Sequence, residues 1–203
     1  KDEIYWDGIA QCYEQGLIKN VGVSNYGPKT LQRSYDALSK RGVPLASNQI
    51  NFSLMSRQEE TLQACQDLGV AVLGYFPLAN GLLAGRYTPD NMPKGLKARF
   101  MKKYVVGGVT EKGITYPDGG AQPLLQVMRE VADGKGKTVP QVAINYAMSK
   151  GVIPIPGCRD AKMASDNIAA MGWRLDSGEV AALEAAAEGL GFGFSSGGFD
   201  NVE

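Results

Sequence analysis

Short apolar segments alternate with helical patterns along most of this chain, and that alternation limits the fold more than any other feature. Four runs of strand length lie at about residues 21–23, 46–50, 70–74 and 152–155. Strands that are separated by helices pair in parallel, because the crossover helix returns the chain to the same end of the sheet. The alternation therefore predicts an α/β protein built from parallel βα units, with the run at 70–74 buried on both faces.

Apolar spacing and end signals predict the helices between these strands. Four strands with their helices amount to half of an eight-stranded (β/α)8 barrel of the TIM type, which usually needs ~250 residues, more than the 203 of this chain. About four βα units are therefore expected. The predicted helices cover about residues 6–16, 28–38, 58–68, 123–132, 138–148, 160–170 and 178–188.

The pattern fails in two stretches. Residues 79–122 contain many glycines and prolines without clear periodicity, which predicts a long loop that is either functional or disordered. Residues 189–203, GLGFGFSSGGFDNVE, predict a loosely held C-terminal tail.

Composition excludes several classes of site. Lysine plus arginine and aspartate plus glutamate each number 21, so no overall charge favours nucleic acid or an acidic membrane, and no apolar run reaches the ~20 residues of a membrane span. The absence of histidine removes Ser-His and Cys-His nucleophiles and histidine-based metal sites. Three widely spaced cysteines predict a reducing, intracellular compartment and no metal site, and no signal peptide is expected at the start of the chain.

A polar and glycine-rich turn follows the third strand. Tyr75 and Pro77 end the strand, and Asn80, Gly81 and Gly85 follow. Backbone N–H groups of such a loop can hold phosphate. The alternative is a tight turn with a packed tyrosine, which these residues alone favour.

The segment YFPLANGLLAG at 75–85 resembles the Y-S-P-L-x-x-G-x-L-x-G motif of the aldo-keto reductases. GLIKNVGVSNY at 16–26, LASNQINFSLMSR at 45–57 and VIPIPGCRDAKMASDN at 152–167 agree with that family in the same order. The resemblance covers nearly the whole chain. It implies that residues 1–203 are the C-terminal half of one barrel domain, in an NADP(H)-dependent oxidoreductase that transfers hydride between nicotinamide and a carbonyl or alcohol.

The resemblance implies a nicotinamide site at the strand ends. Ser24, Asn25 and Gln49 match family positions that contact the cofactor, and their donors and acceptors suit a carboxamide. Tyr75 matches the tyrosine that stacks on the nicotinamide ring. Taken without the resemblance, Ser24 and Asn25 also form a good turn, and Gln49 can satisfy buried backbone.

The rest of the implied site binds the phosphates and adenine. Arg159 would read a 2′-phosphate and select NADP(H), whereas for Lys162 a solvated helix face is favoured. Phe76 departs from the family serine that touches the diphosphate, which leaves backbone donors of residues 81–83. The implied contacts other than Arg159 are Pro77, Leu78, Gly81, Leu83, Gly157, Asp166 and Asn167.

A run of cations follows this turn, and Asp90 is the one acid within it. The run is compatible with a charged lid over the diphosphate and equally with a solvated loop. The cations are Arg86, Lys94, Lys97, Arg99, Lys102 and Lys103.

No catalytic residue is assigned. The resemblance implies that the family's proton-donating tyrosine and its helpers lie upstream of Lys1, so the chain alone is expected to be inactive. The alternative is a non-catalytic relative, a structural or interaction subunit whose open half-barrel a protein partner covers. If the full-length enzyme is active, its expected ligand is a small carbonyl substrate, and no nucleic-acid partner is expected. Resemblance to plant and algal members implies a chloroplast location.

Overall fold

The four predicted strands and the seven predicted helices occur in the predicted order, in a computed structural model that describes residues 2–109 and 115–194. The described residues form two units. Unit 1 comprises residues 2–51 and 57–75, and unit 2 comprises residues 52–56, 76–109 and 115–194.

Unit 1 is a parallel sheet covered by helices. Its strands are ordered β1-β2-β3, with Ser24 opposite Gln49 and Asn51 opposite Tyr75. Parallel pairing brings the carboxyl ends of all three strands to one edge. The elements are α1 (Asp2–Glu14), β1 (Val21–Ser24), α2 (Pro28–Ser39), β2 (Leu45–Asn51), α3 (Glu59–Asp67) and β3 (Ala71–Tyr75).

The core of unit 1 lies between the sheet and its helices, where Leu31, Ile50 and Cys65 are fully buried. In β3, Val72 is buried whereas Ala71 is exposed. Because α3 packs against one face of β3, the strand is buried on that face only. The prediction that this run is buried on both faces is therefore wrong.

The end signals of the first two helices are confirmed. Gly16 has φ +71°, and its N–H donates to the carbonyl of Tyr13 beyond the end of α1. This left-handed residue is a common helix stop. Pro28 begins α2, where its missing N–H costs no hydrogen bond.

Unit 2 contains the stretch 79–122, and that stretch is more ordered in secondary structure than its sequence predicts. It includes a helix of ten residues and an antiparallel pair of two-residue strands. The elements of the unit are the 3₁₀ segment Ala79–Ala84, α4 (Leu96–Val105), β4 (Gly108–Val109), β5 (Thr115–Tyr116), α5 (Gln122–Lys135), α6 (Val139–Ser149), β6 (Ile153–Ile155), α7 (Ala161–Ile168) and α8 (Ser177–Glu188).

Two glycines of this stretch allow close packing of the backbone. A Cβ on Gly107 would lie 2.1 Å from the carbonyl oxygen of Pro117, and one on Gly120 would lie 2.1 Å from that of Tyr104. Both glycines have positive φ. The glycines that make the sequence resemble a loop are therefore positions at which two backbone segments touch.

Aromatic side chains hold α4 and the start of the C-terminal tail together. Tyr104 contacts Tyr116, Phe192 and Phe194, with ring centroids 5.3–5.9 Å apart. The N–H of Phe194 also donates to the carbonyl of Met55 at 2.7 Å. The predicted loosely held tail is wrong for residues 189–194, and residues 195–203 lie outside the described residues.

The predicted caps in unit 2 are confirmed. Thr138 and Gln141 form a reciprocal capping box at the start of α6, and Asp160 caps α7 by accepting the N–H of Met163. Of the two candidates for α8, Asp176 is the cap. The N–H of Glu179 holds the pKa of the Asp176 carboxyl below its usual value, because it bonds the charged form.

Candidate functional site

Four polar side chains lie at the carboxyl ends of the three strands of unit 1. Ser24 ends β1, Asn25 follows it, Gln49 lies near the end of β2, and Tyr75 ends β3. We refer to these four residues as the strand-end cluster. The structure brings together all the residues of unit 1 that the resemblance assigned to the nicotinamide.

Hydrogen bonds join the strand-end cluster. The hydroxyl of Ser24 and the N–H of Asn25 both donate to the carbonyl oxygen of Gln49, at 3.0 and 2.8 Å. The Tyr75 hydroxyl donates to Oδ1 of Asn25 at 2.9 Å. The orientation of the Tyr75 ring is therefore coupled to the loop that follows β1.

Non-glycine residues in the left-handed backbone region directly follow β1 and β3, where Asn25 has φ +59° and Phe76 has φ +55°. Gln58, immediately before α3, has φ +45°. A bulky residue such as Phe76 rarely adopts this region, and such strain accumulates at functional sites. Sequence reasoning identified Phe76 only as a departure from a family motif, and nothing in the sequence signals its conformation.

The turn after β3 satisfies its own backbone donors. The N–H groups of Gly81 and Leu83 donate to the carbonyl of Leu78, at 2.8 and 3.1 Å. Pro77 and Leu83 are buried. In this conformation the N–H groups of Gly81 and Leu83, which the sequence suggested as phosphate donors, have an internal acceptor instead.

The segment 157–167 is exposed. Arg159 extends from it without a hydrogen bond or ion pair to any residue that the structure describes, and α7 contains no buried residue. Nδ2 of Asn167 donates to the carbonyl of Gly157 at 3.3 Å, and Nε2 of Gln141 donates to the carbonyl of Asp166 at 3.0 Å. These two bonds fix the backbone on either side of Arg159.

Lys162 and Asp166 form an ion pair one turn apart on α7, with Nζ 2.7 Å from Oδ2. The hydrogen bond that Lys162 donates to Asp166 raises the pKa of Lys162, and the charge of Arg86 opposes that rise. Arg86 is therefore close enough to α7 to act on Lys162 electrostatically.

A family model described as "Aldo/keto reductase family" matches residues 2–188. The chain belongs to the aldo/keto reductase family. The resemblance on which the sequence analysis rested is confirmed, and so is the (β/α)-barrel fold type, of which this chain holds a part.

Curated relatives agree with this assignment. This aldo/keto reductase chain is 40% identical over 188 residues to the chloroplastic pyridoxal reductase of Arabidopsis thaliana, covering 91% of this chain and 48% of that protein. It is 29% identical over 178 residues to probable pyridoxal reductase 2 of Schizosaccharomyces pombe, covering 82% of this chain and 49% of that protein. The chain spans about half the length of these relatives.

Solved structures share the fold. The glycerol dehydrogenase of Gluconobacter oxydans matches with a TM-score of 0.71 at 23% identity, covering 90% of this chain and 53% of that one. An aldo-keto reductase of Bombyx mori, solved in complex with NADP, matches with a TM-score of 0.63 at 24% identity, covering 89% of this chain and 48% of that one.

The cationic run of this aldo/keto reductase makes contacts with aromatic rings. Nζ of Lys97 lies 5.2 Å from the centre of the Tyr87 ring, and Nζ of Lys103 lies 4.7 Å from that of Tyr104. Burial lowers the pKa of Lys103, and the oxygens of Tyr104 and Tyr116 raise it by more, so that the net change is upward. The lid remains a prediction.

The described residues contain neither a metal-binding cluster nor a membrane-spanning helix. No group of three or more cysteine, aspartate or glutamate side chains among residues 2–109 and 115–194 is arranged to hold a metal ion. No helix in the same part of the chain is long and apolar enough to cross a membrane.

Proposed function

We propose that this chain supplies the cofactor-binding part of an NADP(H)-dependent aldo-keto reductase that interconverts a carbonyl and an alcohol. The observation that carries the proposal is the strand-end cluster, and above all the hydrogen bond between Tyr75 and Asn25 at 2.9 Å. NADP(H) when bound supplies the hydride through nicotinamide C4. The residues of this chain bind and orient it.

The proposed nicotinamide contacts are the side chains of the strand-end cluster. Ser24, Asn25 and Gln49 offer the hydroxyl and carboxamide groups that a nicotinamide carboxamide can pair with. Tyr75 is half-buried and presents an aromatic face for stacking. Because its hydroxyl is bonded to Asn25, the ring is oriented before any ligand arrives.

The proposed phosphate and adenine contacts belong to unit 2. Arg159 reads the 2′-phosphate, and Asp166 and Asn167 hold the adenine. Gly157 fixes the turn through its bond to Asn167. The segment with Pro77, Leu78, Gly81 and Leu83 contributes packing contacts along the diphosphate, since two of its N–H groups are internally bonded.

The proposed substrate class is an aldehyde on an aromatic ring, with pyridoxal as the first compound to test. Two relatives carry the name pyridoxal reductase. We also propose a plastid location, because the relative at 40% identity is described as chloroplastic. Immunodetection in isolated plastids tests the location, and a signal confined to another compartment would contradict it.

Proton transfer is assigned to no residue of this chain. Carbonyl reduction leaves an alkoxide that must receive a proton, and a positioned donor contributes ~10²–10⁴ in rate. The Tyr75 hydroxyl is not proposed for this role, because it donates to Asn25 and its ring is assigned to stacking.

Nucleotide affinity tests the proposal. Arg159→Ala should weaken NADPH by about 1.5–3 kcal/mol, as loss of a charged hydrogen bond does, and leave NADH nearly unchanged. Titration of each nucleotide, followed by its fluorescence, measures both affinities.

Arg174→Ala is the matched control, because Arg174 is another exposed arginine of unit 2 outside the proposed site. It should leave both affinities unchanged. Equal losses of NADPH and NADH in Arg159→Ala would show that Arg159 does not read the 2′-phosphate. A wild-type chain that binds neither nucleotide would favour the non-catalytic alternative.

A further inference from the structure

Asn48 is a fully buried polar residue that forms hydrogen bonds with the backbone of the loop after β1. Its Oδ1 accepts the N–H of Tyr26 at 3.4 Å, and its Nδ2 donates to the carbonyl of Tyr26 at 2.9 Å. Asn48 is 0% exposed. Both polar groups of Tyr26's main chain are therefore held by one side chain from the neighbouring strand.

The side chain of Tyr26 is held as well. Nε1 of Trp6, from α1, donates to the Tyr26 hydroxyl at 3.1 Å, and the two rings meet edge to face with centroids 6.3 Å apart. Trp6 is 3% exposed and lies beneath the guanidinium of Arg33, which is 5.4 Å from the ring centre. Tyr26 is thus fixed by three hydrogen bonds from two different elements.

Tyr26 directly follows Asn25, the residue whose side chain meets Tyr75. Asn25 adopts φ +59°, a left-handed region that non-glycine residues adopt less readily than glycine, so that neighbouring bonds help to hold it there. The backbone on the far side of Asn25 is therefore fixed by Asn48 and Trp6 through Tyr26. The near side is fixed by the bond from its own N–H to Gln49.

We propose that Asn48 and Trp6 are positioning residues that hold Asn25 for the nicotinamide. Successive residues of a strand point to opposite faces, so Asn48 lies on the face opposite to Gln49 and acts only through Tyr26. We call Asn48, Trp6 and their three hydrogen bonds to Tyr26 the clamp. This inference rests on the proposed function, because it takes the clamp to serve nicotinamide binding by the strand-end cluster.

Two ligands of different extent test the clamp. Asn48→Ala and Trp6→Phe should each weaken NADPH binding, by about tenfold for Asn48→Ala, as the loss of buried hydrogen bonds would. The affinity for adenosine 2′,5′-bisphosphate, which lacks the nicotinamide, should stay within about twofold of the wild-type value. Equal weakening of both ligands would indicate a general structural role and overturn the inference.

Cys65→Ala is the matched control. Nδ2 of Asn48 donates to Sγ of Cys65 at 3.7 Å, so this substitution removes that contact and leaves the two bonds from Asn48 to Tyr26. NADPH affinity equal to wild type in Cys65→Ala is expected. A loss as large as that of Asn48→Ala would overturn the assignment to Tyr26.

Amide hydrogen exchange followed by NMR tests the same clamp without cofactor. Exchange at Asn25 and Tyr26 should accelerate in Trp6→Phe and Asn48→Ala, while the amides of β3 keep their wild-type rates. Unchanged exchange at Asn25 and Tyr26 would overturn the clamp. Should Asn48→Ala fail to fold, Trp6→Phe decides, because it removes one N–H and keeps an aromatic ring. A wild-type chain without NADPH affinity refutes the proposed function, and exchange then decides the clamp alone.

Discussion

The strand-end cluster of unit 1 and the exposed segment 157–167 of unit 2 are held in place in different ways. The strand-end cluster is bonded internally, with Tyr75 donating to Asn25 and Ser24 donating to Gln49. The segment around α7 buries none of its helical residues and is held by side chains of α6.

This difference predicts how each region tolerates substitution. Polar groups that already bond one another lose partners when any member is removed, so the strand-end cluster is sensitive to its own residues. An exposed segment with unpaired charge can change its side chains at little cost in stability. Its sensitivity lies instead in the buried groups that anchor it.

The largest effect is expected at Asn145, which anchors the chain after α7. Its Nδ2 donates to the carbonyls of Ala170 and Trp173, at 2.9 and 3.0 Å, and its Oδ1 accepts the N–H of Leu175 at 3.1 Å. Asn145 is 0% exposed. Asn145→Ala would leave these buried groups without partners and should lower the free energy of unfolding by about 2–4 kcal/mol.

Chemical denaturation measures this effect. Asn20→Ala is the control, because Asn20 is exposed and forms no hydrogen bond with the residues that the structure describes. It should change the free energy of unfolding little. If Asn145→Ala is no more destabilising than Asn20→Ala, then α7 does not depend on an anchor from α6.

A smaller effect is expected when the strand-end cluster loses its own bond. Tyr75→Phe removes the hydroxyl that donates to Asn25 and keeps the half-buried ring. The free energy of unfolding should fall by about 0.5–1.5 kcal/mol, the usual net value of one hydrogen bond. Chemical denaturation of Tyr75→Phe and wild type in parallel measures this difference. Unchanged stability would mean that the hydrogen bond between Tyr75 and Asn25 does not stabilise the strand-end cluster.

The stability of unit 1 should also decrease at alkaline pH, because of Cys65 in α3. Burial raises the pKa of the Cys65 thiol above its usual value, and the hydrogen bond from Asn48 lowers that pKa by less. A group whose pKa is higher in the folded than in the unfolded state stabilises the fold below the unfolded pKa. That contribution is lost as pH rises through the folded pKa.

Cys65→Ala tests this dependence. The variant should be less stable than wild type at neutral pH because of the cavity, and its stability should fall less steeply above about pH 9, near the usual range of a thiol. Denaturation curves collected through that range compare the two slopes. Parallel slopes would show that another group causes the decrease in stability at alkaline pH.

The sequence predicted the parts of this fold that depend on local chemistry. The capping box at Thr138 and the stop at Gly16 follow from short-range hydrogen bonding, which residue type alone indicates. The strand-end residues were found because parallel strands bring their carboxyl ends to one edge. Periodicity was enough to predict that arrangement, whereas the assignment of these residues to the nicotinamide came from the family resemblance.

The sequence did not predict features that depend on contacts distant along the chain. α4 was missed because glycines surround it, and those glycines make room for the backbone at Pro117 and Tyr104. Asn48 and Asn145 carry no signal, because a buried asparagine differs from an exposed one only in its partners. The left-handed conformation of Phe76 is likewise set by its surroundings.

The smallest effect is expected at Lys162, one of the two exposed cations of segment 157–167. Its ion pair with Asp166 joins side chains that are 84% and 59% exposed, so water competes with the pair and its net contribution is small. The hydrogen bond to Asp166 raises the pKa of Lys162, so the pair persists at neutral pH and is lost only as pH rises beyond the lysine range. Lys162→Ala should leave the unfolding midpoint at neutral pH unchanged.

Nucleotide affinity in the same variant separates the roles of the two cations on this segment. Arg159 has no partner among the described residues and is free to meet a phosphate, whereas the charge of Lys162 is already neutralised by Asp166. Lys162→Ala should therefore change NADPH affinity by less than about twofold, far less than Arg159→Ala. Equal losses in the two variants would mean that Lys162 leaves Asp166 to bind the 2′-phosphate, and that the ion pair on α7 is exchanged when the nucleotide binds.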